Sequence, residues 1–357
     1  MRRASPPLFL PQPSRFATIG RGPARLALAA LALLMLLCAS LPGTSPLPDI
    51  GRQVGFHEAI VDRIRHGAGD YYTAAIAALR GSDLPLQPFT AFPLPATAIV
   101  AAAMPGAVFV ALMVWLAGGV AATWSARFAP SRYARSACFG IAAAAMIGAM
   151  YAGLAVLPQL WAGLFVALSL ALRRPGGWME SVAIGLAAAV VHEAALLYLA
   201  IMAVSAWRDA MRREAAAWAG ASAVAALVLS LHAHTAAGTT GILDIAPDPA
   251  AAGFGAVIAA LTATTGLSVL PGGIGTALLP VVIGGWFGWR SDRAARTLAI
   301  VLAYLVLLAL MPPAQASTVF LIVPLTLLGL LPAIDGIRDL VRAALDSRRI
   351  TVTRVVR

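Results

Sequence analysis

From position 26 onward the chain alternates long apolar runs with short charged punctuation. Leu26 to Pro42, Ala96 to Trp124, Ala137 to Val156 and Ala215 to His232 carry no interior charge. Each approaches or exceeds the roughly 20 residues that a helix needs to cross a bilayer. Leu157 to Leu172, Thr297 to Met311 and Thr318 to Leu331 add shorter runs of the same kind. The pattern predicts an all-α integral membrane protein, a polytopic helical bundle of about nine or ten spans. A single transmembrane domain over 26–334 lies between an N-terminal segment, 1–25, and an amphipathic C-terminal tail, 335–357. The N-terminal segment, with five arginines and five prolines, looks superficially like a secretory signal. No small-residue cleavage pattern is convincing after Pro42, so it reads as the approach to an uncleaved first span.

One loop has a different rhythm. Between 43 and 95, Phe56, Ile60 and Ile64 recur at helical spacing opposite Glu58, Asp62 and Arg65, the signature of a helix lying on a membrane surface. A second helix follows over Tyr71 to Arg80, with Tyr72, Ile76 and Leu79 on one face. Asp70 is placed to be its N-cap and Gly81 its left-handed C′ residue.

Arginine placement orients the spans. The chain has no lysine, and 22 of its 26 arginines fall in six segments: 1–25, 127–135, 173–174, 208–213, 290–296 and 338–357. The positive-inside rule puts these segments, and with them both termini, in the cytoplasm, and the loop 43–95 outside. Arg174 and Arg208 then share a side, although one apolar stretch, Trp178 to Trp207, joins them. That stretch must enter and return, as paired short helices or a re-entrant hairpin over 178–207 with its apex at His192 and Glu193. By the same logic 233–289 holds an outward loop (Ala236 to Ala252), an interfacial helix (Phe254 to Val269), a break at Pro271 and a span to Trp289.

Composition narrows the class further. With 60% hydrophobic and 11% charged residues, the chain cannot be arranged around one soluble core. The net charge of +11 is no sign of a nucleic-acid partner, because the arginines flank spans. Cys38 and Cys138 sit inside apolar stretches as small hydrophobes, implying neither disulfide nor metal. His192-Glu193-Ala194-Ala195-Leu196 begins like a zinc-protease helix but has leucine where the second histidine must be. His232 and His234, two apart on a helix, point different ways. No cofactor follows from the sequence, which is silent on a divalent metal.

All five histidines fall on the external side in this topology, with Asp70 and Glu193. Asp70-Tyr71-Tyr72-Thr73-Ala74-Ala75, Leu79-Arg80-Gly81, Pro88-Phe89 and Phe92-Pro93 together resemble the first external loop of the polyprenol-phosphate-dependent glycosyltransferases of the GT-C fold. Family 87, mannosyltransferase-like, is the nearest pattern. The Glu193 hairpin is similar to that family's middle segment, with His192 where the pattern has arginine. Asp70 abuts the tyrosine pair instead of preceding it by two or three residues, and no Asp-x-Asp element follows.

The resemblance implies a GT-C-like enzyme of a bacterial inner (plasma) membrane. It would move a hexose of the mannose type from a polyprenyl-phosphate sugar to a glycan or lipid acceptor on the external face. Such transfer needs a base, cations for the departing phosphate and aromatic faces for sugar rings. Asp70 is the candidate base; Tyr71 and Tyr72 could pack on a sugar; Arg80, with Arg63 or Arg65, could hold the phosphate at the depth of the lipid headgroups. His192 and Glu193 could complete the site from the hairpin. Two other readings stay open: a transporter or flippase with a midplane site at 192–193, and a noncatalytic remnant of the fold.

Overall fold

The computed structural model describes residues 6–41, 47–67, 69–82, 92–128, 132–147, 152–240, 251–271 and 273–346. Its helices, in chain order, are α1 (Arg21–Ser40), α2 (Leu47–Arg65), α3 (Tyr71–Arg80), α4 (Pro95–Ala102), α5 (Gly106–Phe128), α6 (Arg132–Ile147), α7 (Pro158–Leu172) and α8 (Met179–Val191). They continue as α9 (Leu196–Arg208), α10 (Arg212–Thr240), α11 (Gly253–Ala263), α12 (Ile274–Gly288), α13 (Asp292–Leu310), the single turn α14 (Val323–Thr326) and α15 (Leu330–Leu345). No strand occurs among the described residues. Among the described residues four helices, α1, α5, α10 and α13, are long and apolar enough to cross a membrane, while α7, α8, α11 and α12 are shorter apolar helices. Leu26, Leu33 and Leu36 on α1 and Trp115 on α5 are exposed. Outward-facing apolar surface of this extent suits lipid, not water.

The apolar stretch 178–207 is a hairpin. Helix α8 ends where His192 turns to extended backbone (φ −149°, ψ 128°), a 3₁₀ turn covers Glu193–Ala195, and α9 begins at Leu196. At the foot, Arg173 Nε and Nη2 donate to Glu214 Oε1 and Oε2 at 2.6 and 2.9 Å, and Trp218 Nε1 adds a bond to Oε1 at 3.2 Å. Residues just before α8 and just after α9 therefore meet. Each helix has 13 residues, so the tip stands about 20 Å from the foot. Between them, Ser169, Ser181 and Tyr198 share a buried hydroxyl network, with Ser169 Oγ 2.6 Å from Tyr198 Oη.

Hydrogen bonds link all six arginine-bearing segments into one continuous group around that foot. Arg293 donates to the carbonyls of Leu170 and Arg173, and Arg127 to that of Ala171. Arg296 pairs with Asp209. Arg290 reaches Thr18 and the Arg15 carbonyl, while the Asp335 carboxylate accepts from the backbone N–H groups of Leu8, Phe9 and Leu10. Arg25 and Arg338 tie the N-terminal segment to α15. Arg2, Arg3 and the arginines from 348 to 357 lie outside the described residues.

Hydropathy misjudges two of the expected spans. The run from Ala96 to Trp124 breaks at 103–105 into α4 and α5, because Pro105 has no N–H to give the Ala101 carbonyl. Arg65 fills that gap: its Nη2 donates to Ala101 O at 2.7 Å and to Met104 O at 2.8 Å. The run from Thr318 to Leu331 is not a regular helix but 3₁₀ turns over Pro313–Leu321 and Leu327–Gly329 around α14. Its residues from Val319 to Leu331 are almost all buried, so its apolar character serves protein packing. Irregular backbone at membrane depth is tolerable under such cover. Glycines make the cover fit: a Cβ on Gly163 would collide with the Phe320 carbonyl, and one on Gly285 with the Gly329 carbonyl.

Smaller differences follow. Helix α10 continues through Ala236 to Thr240, where an outward loop was expected, and α11 packs on α12 and α13. Gly81 closes α3 at φ −90°, not in the left-handed region.

Candidate functional site

Helices α2 and α3 and the hairpin tip bring polar side chains into one neighbourhood. Asp70 caps α3, its Oδ1 accepting from the Thr73 N–H at 2.8 Å, and those Thr73 hydrogen bonds hold its carboxyl below the usual range. Its side chain is exposed. One residue on, Tyr71 turns inward. It is buried, its hydroxyl donates to the Pro93 carbonyl, and its ring meets Tyr72 edge-on at 5.2 Å between centroids. Burial first, then the neighbouring Tyr72 and the charge of Glu193, push the Tyr71 phenol far up.

Tyr72 connects the loop to α10. Its hydroxyl lies 3.0 Å from His232 Nδ1, and His232 Nε2 lies 3.0 Å from the Phe92 carbonyl. A carbonyl only accepts, so Nε2 carries the proton and Nδ1 accepts from the tyrosine. His232 is buried, and with Tyr72 and Phe92 it pins the segment before α4 against α10.

The hairpin supplies the second half. His192, 6% exposed, accepts from the Ala194 N–H through Nδ1 at 3.2 Å. That leaves Nε2 for its proton, 3.8 Å from Glu193 Oε1. Tyr304 on α13 donates to the Ala194 carbonyl at 2.7 Å, so the irregular turn is held by a bond at each side. Glu193 keeps 22% of its side chain exposed. Beneath α2, His57 is buried; burial, and secondarily the nearby His192, push its pKa down to about 3, so it is neutral at ordinary pH.

Of the residues singled out in the sequence, Tyr71 and Tyr72 meet edge-on, His192 and Glu193 adjoin at the hairpin tip, and Glu193 lies near enough to Tyr71 for its charge to act on the phenol. Asp70 lies at the rim. Arg63 and Arg80 are exposed in the last turns of α2 and α3, and Arg65 spends one guanidinium nitrogen on the α4–α5 break. His57, His232 and Tyr304 also belong to the cluster. His57 could have been found, since it shares the buried face of α2 with Phe56 and Ile60. Pro88-Phe89 lies outside the described residues.

The cluster pairs a carboxylate with an imidazole proton beside aromatic rings, a set able to accept a hydroxyl proton and to donate one to a departing oxygen. Comparison of the chain with protein-family models, with curated proteins and with solved structures finds no match.

Proposed function

We propose that the chain is a membrane glycosyltransferase that moves a hexose from a polyprenyl-phosphate donor to an acceptor hydroxyl on the extracytoplasmic side of a bacterial inner membrane. The observation that carries this reading is the His192–Glu193 pair at the hairpin tip, close enough to the Tyr71–Tyr72 pair of the first loop for the Glu193 charge to act on the Tyr71 phenol. A tip about 20 Å above a cytoplasmic foot sits in the outer part of a hydrocarbon core about 30 Å thick.

The proposal moves the base from Asp70 to Glu193. Asp70 is committed to its N-cap bond, whereas Glu193 is partly exposed inside the cluster. In the reaction, Glu193 takes the acceptor hydroxyl proton, the freed oxygen bonds to the anomeric carbon, and the bond from that carbon to the phosphate oxygen breaks. The polyprenyl phosphate leaves as an anion, which the His192 Nε2–H, Arg80 and Arg63 are suited to draw off. Tyr72 offers a ring face for a sugar.

A carrier with a midplane site is the main rival. Carriers of that kind use helices that break and then continue across the membrane. The Arg173–Glu214 bond joins the entrance of the hairpin to its exit, which favours a covered tip over a through-path.

Detergent-permeabilised membranes incubated with labelled polyprenyl-phosphate hexose provide the test. Transfer that disappears in Glu193→Gln at normal protein level supports the proposal. Absence of transfer in wild type with several hexoses, or full transfer in Glu193→Gln, would overturn it.

A further inference from the structure

At the foot of the bundle, far from the histidine cluster, a cavity of about 290 Å³ opens between the end of α9 and the start of α13. Arg208 and Asp209 line it from the α9 side, and Asp292 and Arg296 from α13. Arg296 is only 4% exposed. One of its nitrogens, Nη2, is bound to Asp209, while Nη1 is buried with no hydrogen-bond partner. A buried charged N–H without an acceptor is a costly group to keep, and the cheapest remedy is an anionic oxygen brought to it from the cavity that Arg296 lines.

The surroundings say where that oxygen comes from. Just beyond the cavity, Val204 and Trp207 on α9 and Leu302 and Val306 on α13 are exposed. Both helices therefore present lipid-facing surface that leads up to the cavity, and the arginine-rich segments around it mark the polar end of the bundle. Basic pockets between helix ends at such an interface suit lipid headgroups.

The charges narrow the class of lipid. Two arginines are matched by two aspartates. Asp209 already neutralises Arg296, which leaves Arg208 and Asp292, both exposed, as one further charge of each sign. A headgroup with only negative charge would face Asp292 unfavourably; one carrying a phosphate and a primary ammonium would answer both.

We propose that this cavity binds the headgroup of a zwitterionic aminophospholipid, its phosphate accepting from Arg296 Nη1 and Arg208 and its ammonium donating to Asp292. The lipid would wedge α9 against α13 at the end opposite the turn held by Tyr304. The inference is independent of sugar transfer.

The test is native mass spectrometry of the full chain in detergent, counting retained lipid after addition of phosphatidylethanolamine, phosphatidylglycerol or phosphatidylcholine, and with inorganic phosphate as competitor. Wild type should retain phosphatidylethanolamine about tenfold better than the other two, the factor of one charge-assisted hydrogen bond. Arg208→Ala, at an exposed position that spares the Arg296–Asp209 pair, should lower that retention by a similar factor. Asp292→Asn should remove the preference for phosphatidylethanolamine over phosphatidylglycerol. Equal retention of the three lipids by wild type would overturn the proposal, as would retention indifferent to Arg208→Ala. Displacement of the lipid by millimolar inorganic phosphate would assign the cavity to a soluble anion and equally overturn it.

Discussion

Arg173 and Glu214 form a buried, two-point ion pair that joins the entrance of the α8–α9 hairpin to its exit, with Nε–Oε1 at 2.6 Å and Nη2–Oε2 at 2.9 Å. Neither partner reaches solvent appreciably, so removing one leaves the other charge stranded. Arg173→Ala should destabilise the folded protein by about 3–5 kcal/mol. The double variant Arg173→Met with Glu214→Leu should recover most of that loss. Thermal unfolding in a mild detergent checks both, and equal destabilisation by the single and double variants would show that the pair does not act as a unit.

The Pro105 break makes a second pair testable. Arg65 supplies the donor that proline cannot give to Ala101. Arg65→Leu should cost about 1–3 kcal/mol, the penalty for an orphaned carbonyl. Pro105→Ala restores a backbone N–H, so in that background the cost of Arg65→Leu should shrink. A double-mutant cycle by unfolding reads the coupling, and additive effects would contradict it.

His57 should make stability depend on pH. Burial, and secondarily the nearby His192, depress its folded pKa to about 3 from the ordinary histidine value of 6.5. Below about pH 6.5 the unfolded chain takes up a proton that the folded protein refuses. Stability contributed by the neutral imidazole is therefore complete above that pH and drains as pH falls toward 3, by roughly 1.4 kcal/mol per unit at most. His57→Gln, which cannot charge, should flatten the slope of melting temperature against pH between 6 and 4. An unchanged slope would place the titration elsewhere.

At Asp70 a cap and a base predict different things. As a cap, Asp70→Asn should be nearly neutral and Asp70→Ala should cost about 1 kcal/mol. Sugar transfer should then survive Asp70→Asn within a few-fold. Loss of transfer in a normally folded Asp70→Asn protein would return the base to the position that the family resemblance suggests.

Much of this organisation is legible in the sequence because charge cannot hide in a bilayer. Arginine placement alone asks for a return between 174 and 208, and in the structure α8 ends at Val191 and α9 starts at Leu196 with a 3₁₀ turn between them. The Asp70 cap and the helix after it are likewise readable from local chemistry. Hydropathy cannot distinguish side chains that face lipid from those that face protein, so 318–331 looks like a span although it is an irregular, buried segment. The contact of Tyr72 with His232, 160 residues apart, has no local signal. Nor does the service of Arg65 to a break 36 residues away.

The account depends most on the hairpin tip and the first loop sharing one compartment while the arginine group occupies the other. Single cysteines introduced by Gly81→Cys and Tyr133→Cys, in a chain carrying Cys38→Ala and Cys138→Ala, report this directly, since residue 133 is 92% exposed and residue 81 is exposed. A membrane-impermeant maleimide applied to cells with a permeabilised outer envelope should label the first and spare the second until the inner membrane is opened. Labelling of both before opening, or of the second alone, would contradict the account.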